Sequence, residues 1–358
     1  MKQNLLVAGF STRHVACSAF KAGYNVYALD NFCDQDLYWY TKECFRFDSL
    51  DEIEDRIQDI CARFSIDAVL VTSGAESAKT PVPLYSTDIK TVSRFLDKVK
   101  TDQFFEEIGV KKPAIIQGNE YPAFLKPCSG SGGWRNRVVS SAKEEEEWRI
   151  LFDNQPYFKQ QVIVGTPASV SCISDGKRAV ALSSNEQVLR GEGECEYGYS
   201  GSITPFCHPE EERLKSLAEY IVARSGCMGA VGVDFLINYD NIYAIEINPR
   251  FQATLDTVEA VTGANLVNLH INAFLGEISN QSFLKRCYAV RRILFAERDV
   301  IIKEDLKNFA PQVADIPWPG TYFEEGNAII SILAQGKTRD EALASLDTTI
   351  SKIQQYIG

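Results

Sequence analysis

Apolar positions along the chain follow two rhythms. Residues 4–9 form a short apolar run closed by a glycine, which predicts a buried strand. Residues 13–22 carry the spacing of a helix that stops at Gly23, and 25–29 read as a second strand with Asp30 at its end. An amphipathic helix over 50–64 and a third buried strand over 68–72 continue the alternation. Strands and helices alternating at this spacing predict a parallel sheet.

The pattern then changes. A helix over 89–107 is stopped by Gly109 and Pro113. Strands over 123–126 and 137–141 flank a glycine-rich stretch, followed by an acidic helix over 143–152 and a strand over 158–164. Residues 168–173 and 179–183 form a hairpin around Asp175-Gly176. A helix over 210–224 precedes two strands, 230–237 and 242–248. The tail holds a helix near 265–275, short strands, and a last helix near 339–356. The fold class is α/β, α+β overall.

The 358 residues exceed one typical small domain and predict two or three around a substantial core. Hydrophobic residues at 45% and charged residues at 24% exclude a disordered chain. A net charge of −11 disfavours nucleic acid and anionic lipid as partners. No apolar stretch approaches a membrane helix, and the opening apolar run is shorter than the core of a secretory signal, so the chain reads as cytoplasmic. Ten cysteines are scattered without a CxxC pair, and His14, His208 and His270 lie far apart; neither set reads as a metal site.

The first strand-to-helix turn, Gly9-Phe10-Ser11-Thr12-Arg13-His14, holds one glycine where a dinucleotide site needs three. It suits a small substrate better than a nicotinamide cofactor. The later stretch Lys126-Pro127-Cys128-Ser129-Gly130-Ser131-Gly132-Gly133-Trp134-Arg135 leads into a strand rather than a helix, and no Gly-Lys-Ser/Thr closes it. It reads as a hairpin flap whose backbone N–H groups form an anion nest, with Lys126 beside it; the plain reading is a long exposed turn.

The sharper pattern is Asp234 in Gly232-Val233-Asp234-Phe235 and Glu246-Ile247-Asn248-Pro249-Arg250. A turn centred on Asp240 sets Asp234 opposite Glu246. Strict alternation puts Glu246 and Asn248 on one face, and Ile245 and Ile247 on the other. Opposed carboxylates destabilise a hairpin unless a cation lies between them, and this oxygen set suits Mg²⁺ carried by a nucleotide. Arg250 is placed to meet a phosphoryl group.

In order, Lys98, Lys126 with its glycine loop, the Gln160-Gln161-Val162-Ile163 strand, Asp234 and Glu246-x-Asn248-Pro249-Arg250 resemble the ATP-grasp superfamily. The tail, with Asp315-Ile316-Pro317-Trp318-Pro319-Gly320, is similar to the biotin-carboxylase-like branch. The opening, with Ser11-Thr12-Arg13 and Asp30-x-Phe32-x-Asp34-x-Asp36, resembles predicted carboligases within that branch. The resemblance implies a Rossmann-like pre-ATP-grasp domain over 1–88, a small lobe over 89–185, a large lobe over 186–276 and a closing segment over 277–358. It implies ATP and two Mg²⁺ ions, for which Mn²⁺ can substitute.

Lys98 and Lys126 then correspond to phosphate-binding lysines, and Gly130, Ser131, Gly132 and Gly133 to the loop over the phosphates. Gln160, Gln161, Val162 and Ile163 correspond to the adenine hinge, Asp234, Glu246 and Asn248 to metal ligands, and Arg250 to the residue at an acyl-phosphate. The chain departs from the pattern at Gln160, where a glutamate is common, and at Ala168, near which an acid commonly holds ribose. The glycine-punctuated acidic stretch 189–201 matches a segment near the acceptor site. Its acids are candidates for a cationic amine, Arg190 for a carboxylate, and a solvated loop is the plain alternative. Asp34 and Asp36 read as exposed loop acids.

The implied reaction joins a small carboxylate to a small amine through an acyl-phosphate, releasing ADP and phosphate, in an assembly that allows a homodimer. A bicarbonate-using carboxylase and a non-catalytic nucleotide-binding regulator are the alternatives. No biotin-carrier lysine motif is present.

Overall fold

The computed structural model describes residues 2–193, 195–278 and 283–357. The first region is a five-stranded parallel sheet. Asn4–Ala8 is its central strand, with Leu5, Leu6, Val7 and Ala8 fully buried, because helices cover both faces. Helix Arg13–Lys21 packs on one face and helix Ile53–Arg63 on the other. The strand Glu43–Arg46, which the apolar pattern does not announce, pairs beside Asn25–Asp30.

The expected helix over 89–107 is two. Asp97 leaves the helical conformation and caps a second helix, accepting from the N–H groups of Val99 and Lys100. Lys98 thereby opens the helix Lys98–Glu107. A four-stranded antiparallel sheet follows, in which Tyr157–Gln161 lies between Ile115–Ile116 and Ala123–Pro127.

The third sheet has eight strands and runs through the rest of the chain. Thr166–Asp175 pairs with both Ala179–Leu189 and Met228–Asn238. Strand Tyr199–Thr204 pairs with Tyr288–Phe295, which in turn pairs with Ala328–Gly336. The boundary expected at 185/186 thus falls inside strand Ala179–Leu189. The segment after 277 adds strands to the same sheet. The last helix, Arg339–Ile357, packs against Ala328–Gly336. Among the described residues, no helix is long and apolar enough to cross a membrane.

Candidate active site

A cavity of about 580 Å³ opens where the three sheets meet. The parallel sheet contributes Phe10, Ser11 and His14 from its first turn and Thr72 and Ser73 from the end of strand Ala68–Val71. Loops past the ends of parallel strands are the usual place for a ligand in such sheets.

The small sheet supplies the roof. Gly130, Gly132 and Gly133 have φ of +103°, +78° and +71°, conformations open to glycine and costly for other residues. Ser131, Gly132 and Gly133 line the cavity, whereas Gly130 does not. The loop is held in place: Tyr199 donates its backbone N–H to the Gly132 carbonyl at 2.9 Å, and the hydroxyls of Ser131 and Ser73 are 3.3 Å apart. A Cβ on Gly133 would stand 2.6 Å from the Tyr197 carbonyl oxygen.

Lys126 ends the strand beneath this loop, is 3% exposed, and forms no ion pair among the described residues. Burial, with the nearby Lys98 charge, pushes its ammonium down to about 8. Lys98 does not line the cavity. Its Nζ donates to Glu246 Oε1 at 2.6 Å, so its immediate partner is a carboxylate of the site.

Gln160, Gln161, Val162 and Ile163 run along the cavity as expected. The backbone N–H of Gln161 is spent on the Ala114 carbonyl at 2.8 Å. Asp102, paired with Lys112 at 2.7 Å, accepts from Gln160 Nε2, so the group Gln160 can offer a ligand is its amide oxygen. Pleat alternation turns Gly165, Pro167 and Ser169 to the cavity and Ala168 into the core. The departure noted at Ala168 therefore falls on a core-facing position.

Asp234 and Glu246 are register partners, as the spacing predicts, by a different route. The turn has two central residues, Tyr239 and Asp240, with Tyr239 at φ +48° and Asn238 opposite Asn241. A bulge between Asp234 and Phe235 restores the pairing, leaving Ile245 as the extra residue. Ile245 consequently lines the cavity beside Glu246, correcting the strict alternation that sent it to the core; Ala244 and Ile247 are buried there.

Asp234 accepts from Gln187 Nε2 at 2.9 Å and Asn248 Nδ2 at 3.0 Å. Burial, then the facing Glu246 charge, pushes its carboxyl up to about 7. Burial acts upward on Glu246 too, but Lys98 and Lys126 outweigh it and hold that carboxyl below its ordinary value. Among the described residues no three His, Cys, Asp or Glu side chains gather into a metal cluster. The donor set is two carboxylates and one amide, which fits a cation that keeps most of its ligands on a nucleotide's phosphates.

Arg250 reaches the cavity with its Nε on Glu76 Oε1 at 2.8 Å and an Nη on Asn248 Oδ1 at 3.2 Å. Glu76 comes from the parallel sheet's last turn; nothing in the local sequence marks it. Arg190 turns elsewhere: its guanidinium lies over the Phe295 ring at 3.6 Å and donates to the Gly326 carbonyl, outside the cavity lining. Glu192 is exposed and Glu196 half-buried, neither on the cavity wall, and Glu194 lies outside the described residues. From that stretch the cavity takes Leu189, Tyr197 and Tyr199 instead.

Asp36 is not an exposed loop acid but 2% exposed. It accepts from the N–H groups of Asp315 and Ile316 and lies 3.6 Å from Arg13. Arg13 also binds Asp256 and Asp315, and Asp315 binds Arg291, which lines the cavity. On the wall, His14 carries a buried Nδ1 with no hydrogen-bond partner among the described residues, and Tyr199 a buried hydroxyl beside Ser202.

A glycine flap, a buried lysine and an opposed-carboxylate hairpin surround one cavity, and residues 95–254 match the family described as the ATP-grasp domain. An uncharacterized protein of Methanocaldococcus jannaschii is 25% identical over 361 positions, covering 92% of this chain and 88% of its own. The biotin carboxylase domain of Hydrogenobacter thermophilus 2-oxoglutarate carboxylase, a dimer solved with MgADP, ADP and bicarbonate, superposes with a TM-score of 0.77 at 16% identity. The match covers 99% of this chain and 89% of that one. The L-amino acid ligase of Bacillus licheniformis superposes at 0.70 with 18% identity, covering 98% and 97%. The chain carries the ATP-grasp fold.

Proposed function

We propose that this protein is an ATP-dependent ligase that joins a small carboxylate to an amine through an acyl-phosphate. The observation that carries the reading is the set facing one another across the cavity. Among the described residues Lys126 is a buried cation with no ion pair, Asp234 a half-buried carboxylate with no ion pair, and three left-handed glycines form a flap over both. Nucleotide phosphates with a divalent ion would complement both at once.

In this reading Val162 and Ile163 offer backbone groups, and Gln160 its amide oxygen, to adenine. Lys126 and the flap residues Ser131, Gly132 and Gly133 hold the phosphates, Gly130 lets the flap turn, and Lys98 holds Glu246 in place. Asp234, Glu246 and Asn248 would hold Mg²⁺, which neutralises phosphate charge when bound. Arg250, braced by Glu76, orients the γ-phosphoryl and the carboxylate in line. The carboxylate oxygen attacks phosphorus and ADP leaves; the amine then attacks the acyl carbon, phosphate leaves, and a proton is released. Arg291 lines the substrate end but is held by Asp315 and Ser331, so it shapes that wall rather than supplying it an open charge.

ATP turnover with a carboxylate and hydroxylamine should yield ADP and a hydroxamate, with ¹⁸O from the carboxylate recovered in phosphate. AMP and pyrophosphate, with the label in AMP, would exclude the reading. The biotin carboxylase likeness supports a second one, carboxylation through carboxyphosphate; an absolute bicarbonate requirement for ADP release would favour it.

A further inference from the structure

One residue of the cavity wall, Phe10, belongs to a group of half-exposed aromatic rings. Phe10 lines the cavity yet is 43% exposed, and its ring meets Phe32 edge-on at 5.0 Å. Trp318 donates its indole N–H to the carbonyl of Cys33, the residue after Phe32, and meets Tyr38 edge-on at 5.8 Å. Phe32, Tyr38 and Trp318 are 41%, 47% and 49% exposed. Single exposed rings need no explanation, but two ring pairs linked through the Cys33 backbone, one of them reaching the cavity, do. Two chain segments converge to build this group, and the Trp318 hydrogen bond to Cys33, across 285 positions, fixes one ring against the other segment's backbone.

Inside, the wall has a different character. Among the described residues His14 Nδ1 is buried without a hydrogen-bond partner, the buried Tyr199 hydroxyl meets the Ser202 side chain, and both groups sense Arg291 and Asp256. The passage from buried polar atoms to half-exposed rings suits a molecule with a polar reactive head and a flat apolar body. Continuity with the cavity through Phe10 selects that molecule over a separate partner.

We propose that one of the two substrates carries an aromatic group seated on the Phe10–Phe32 pair, with Trp318 and Tyr38 extending the platform outward. This rests on the ligase reading for which molecule is bound, and the test separates the two. Flat rings pack on such a surface with little loss of side-chain freedom.

The probes are matched pairs: 3-phenylpropionate against pentanoate, and 2-phenylethylamine against butylamine. Each is titrated calorimetrically into the full chain with ADP and Mg²⁺ present. One aromatic member should bind at least about tenfold tighter than its aliphatic counterpart, the equivalent of about 1.4 kcal/mol. The preference should shrink to within about twofold in Phe32→Ala and in Trp318→Leu, with ADP affinity and melting temperature close to wild type. Phe32→Leu, which keeps apolar bulk without a flat face, should retain only part of it. Ile150→Ser, on a distant helix, should leave it intact.

Equal affinity within both pairs in the wild-type protein overturns the proposal. So does a preference that survives both ring substitutions. Concentration-dependent dimerisation lost in Phe32→Ala, with no ligand preference, would assign the rings to contact between two copies and overturn it as well. Failure of the wild-type chain to bind ADP would instead strike the ligase reading.

Discussion

Around Arg13 the molecule buries Asp36, Asp256 and Asp315 with a second cation, Arg291, and nearly every charge there finds its opposite. Burial works against the Arg13 guanidinium, but its three carboxylates hold the proton on more firmly than usual; Asp315 and Asp256 are held below the ordinary carboxylate range despite burial, while burial outweighs Arg13 and pushes Asp36 up. Around Glu246, itself held low, the balance tips further toward neutral forms. Lys126 and Asp234 are pushed toward their neutral forms, although the set has as many cations as anions. Equal charge counts are therefore not equal satisfaction. The first cluster is closed and joins the parallel sheet to helix Leu255–Thr262 and the tail; the second keeps unmet charge, as a ligand site does.

Crossed substitutions break this comparison most sharply. Arg13→Met should destabilise the protein by about 3–5 kcal/mol, because it strands buried carboxylates. Glu246→Gln should keep an acceptor for Lys98 and cost little stability, while ADP release falls by roughly 10²–10³. Urea denaturation and an ADP-release assay on both variants check the crossing; a stable Arg13→Met chain with an inactive site would reverse the assignment of the two clusters.

Lys126→Met sharpens it. Losing an unpaired buried ammonium should leave stability unchanged or higher, while ATP affinity drops about tenfold. The wild-type lysine has a folded value near 8 against about 10.4 unfolded. Between those values the unfolded chain binds more protons, so stability rises with pH across that window. ATP affinity should fall as pH passes 8, where the free protein loses the cation. Both slopes should vanish in the variant, as read by denaturation and nucleotide titration between pH 7 and 10.

The smallest effect concerns the buried histidines. Burial, joined by Arg13, pushes His14 down to about 3, and burial pushes His270 down to about 4. His270 Nδ1 accepts from Ala230 N–H at 2.8 Å, leaving Nε2–H to donate to the Tyr85 carbonyl. Below about 6.5 the unfolded chain takes up protons that the folded one refuses, so stability should fall from pH 6.5 toward 4. His270→Gln should flatten part of that slope in thermal melts followed by circular dichroism.

Period and spacing made the hairpin legible, since Asp234 and Glu246 are twelve residues apart and their pairing is local. The bulge that completes it was not, and Ile245 changed sides for that reason. Asp36, Glu76 and Arg13 escaped because their partners are distant: Arg13 meets Asp256 across 243 positions and Asp315 across 302. Asp97 was a readable cap inside an otherwise continuous helical pattern, and Arg190 was misplaced because loop composition says nothing of the ring it lies on.

The eight-stranded sheet bears on how the chain is made. Strand Tyr199–Thr204 takes its outer neighbour from Tyr288–Phe295, and that strand takes its own from Ala328–Gly336. A nascent chain that has emerged only as far as Gly276 holds the whole carboxylate hairpin, yet displays an unpaired strand edge to every other nascent chain nearby. Synthesis must nearly finish before that edge is covered, so a truncation that spares the whole carboxylate hairpin should yield an aggregating product rather than a smaller folded protein.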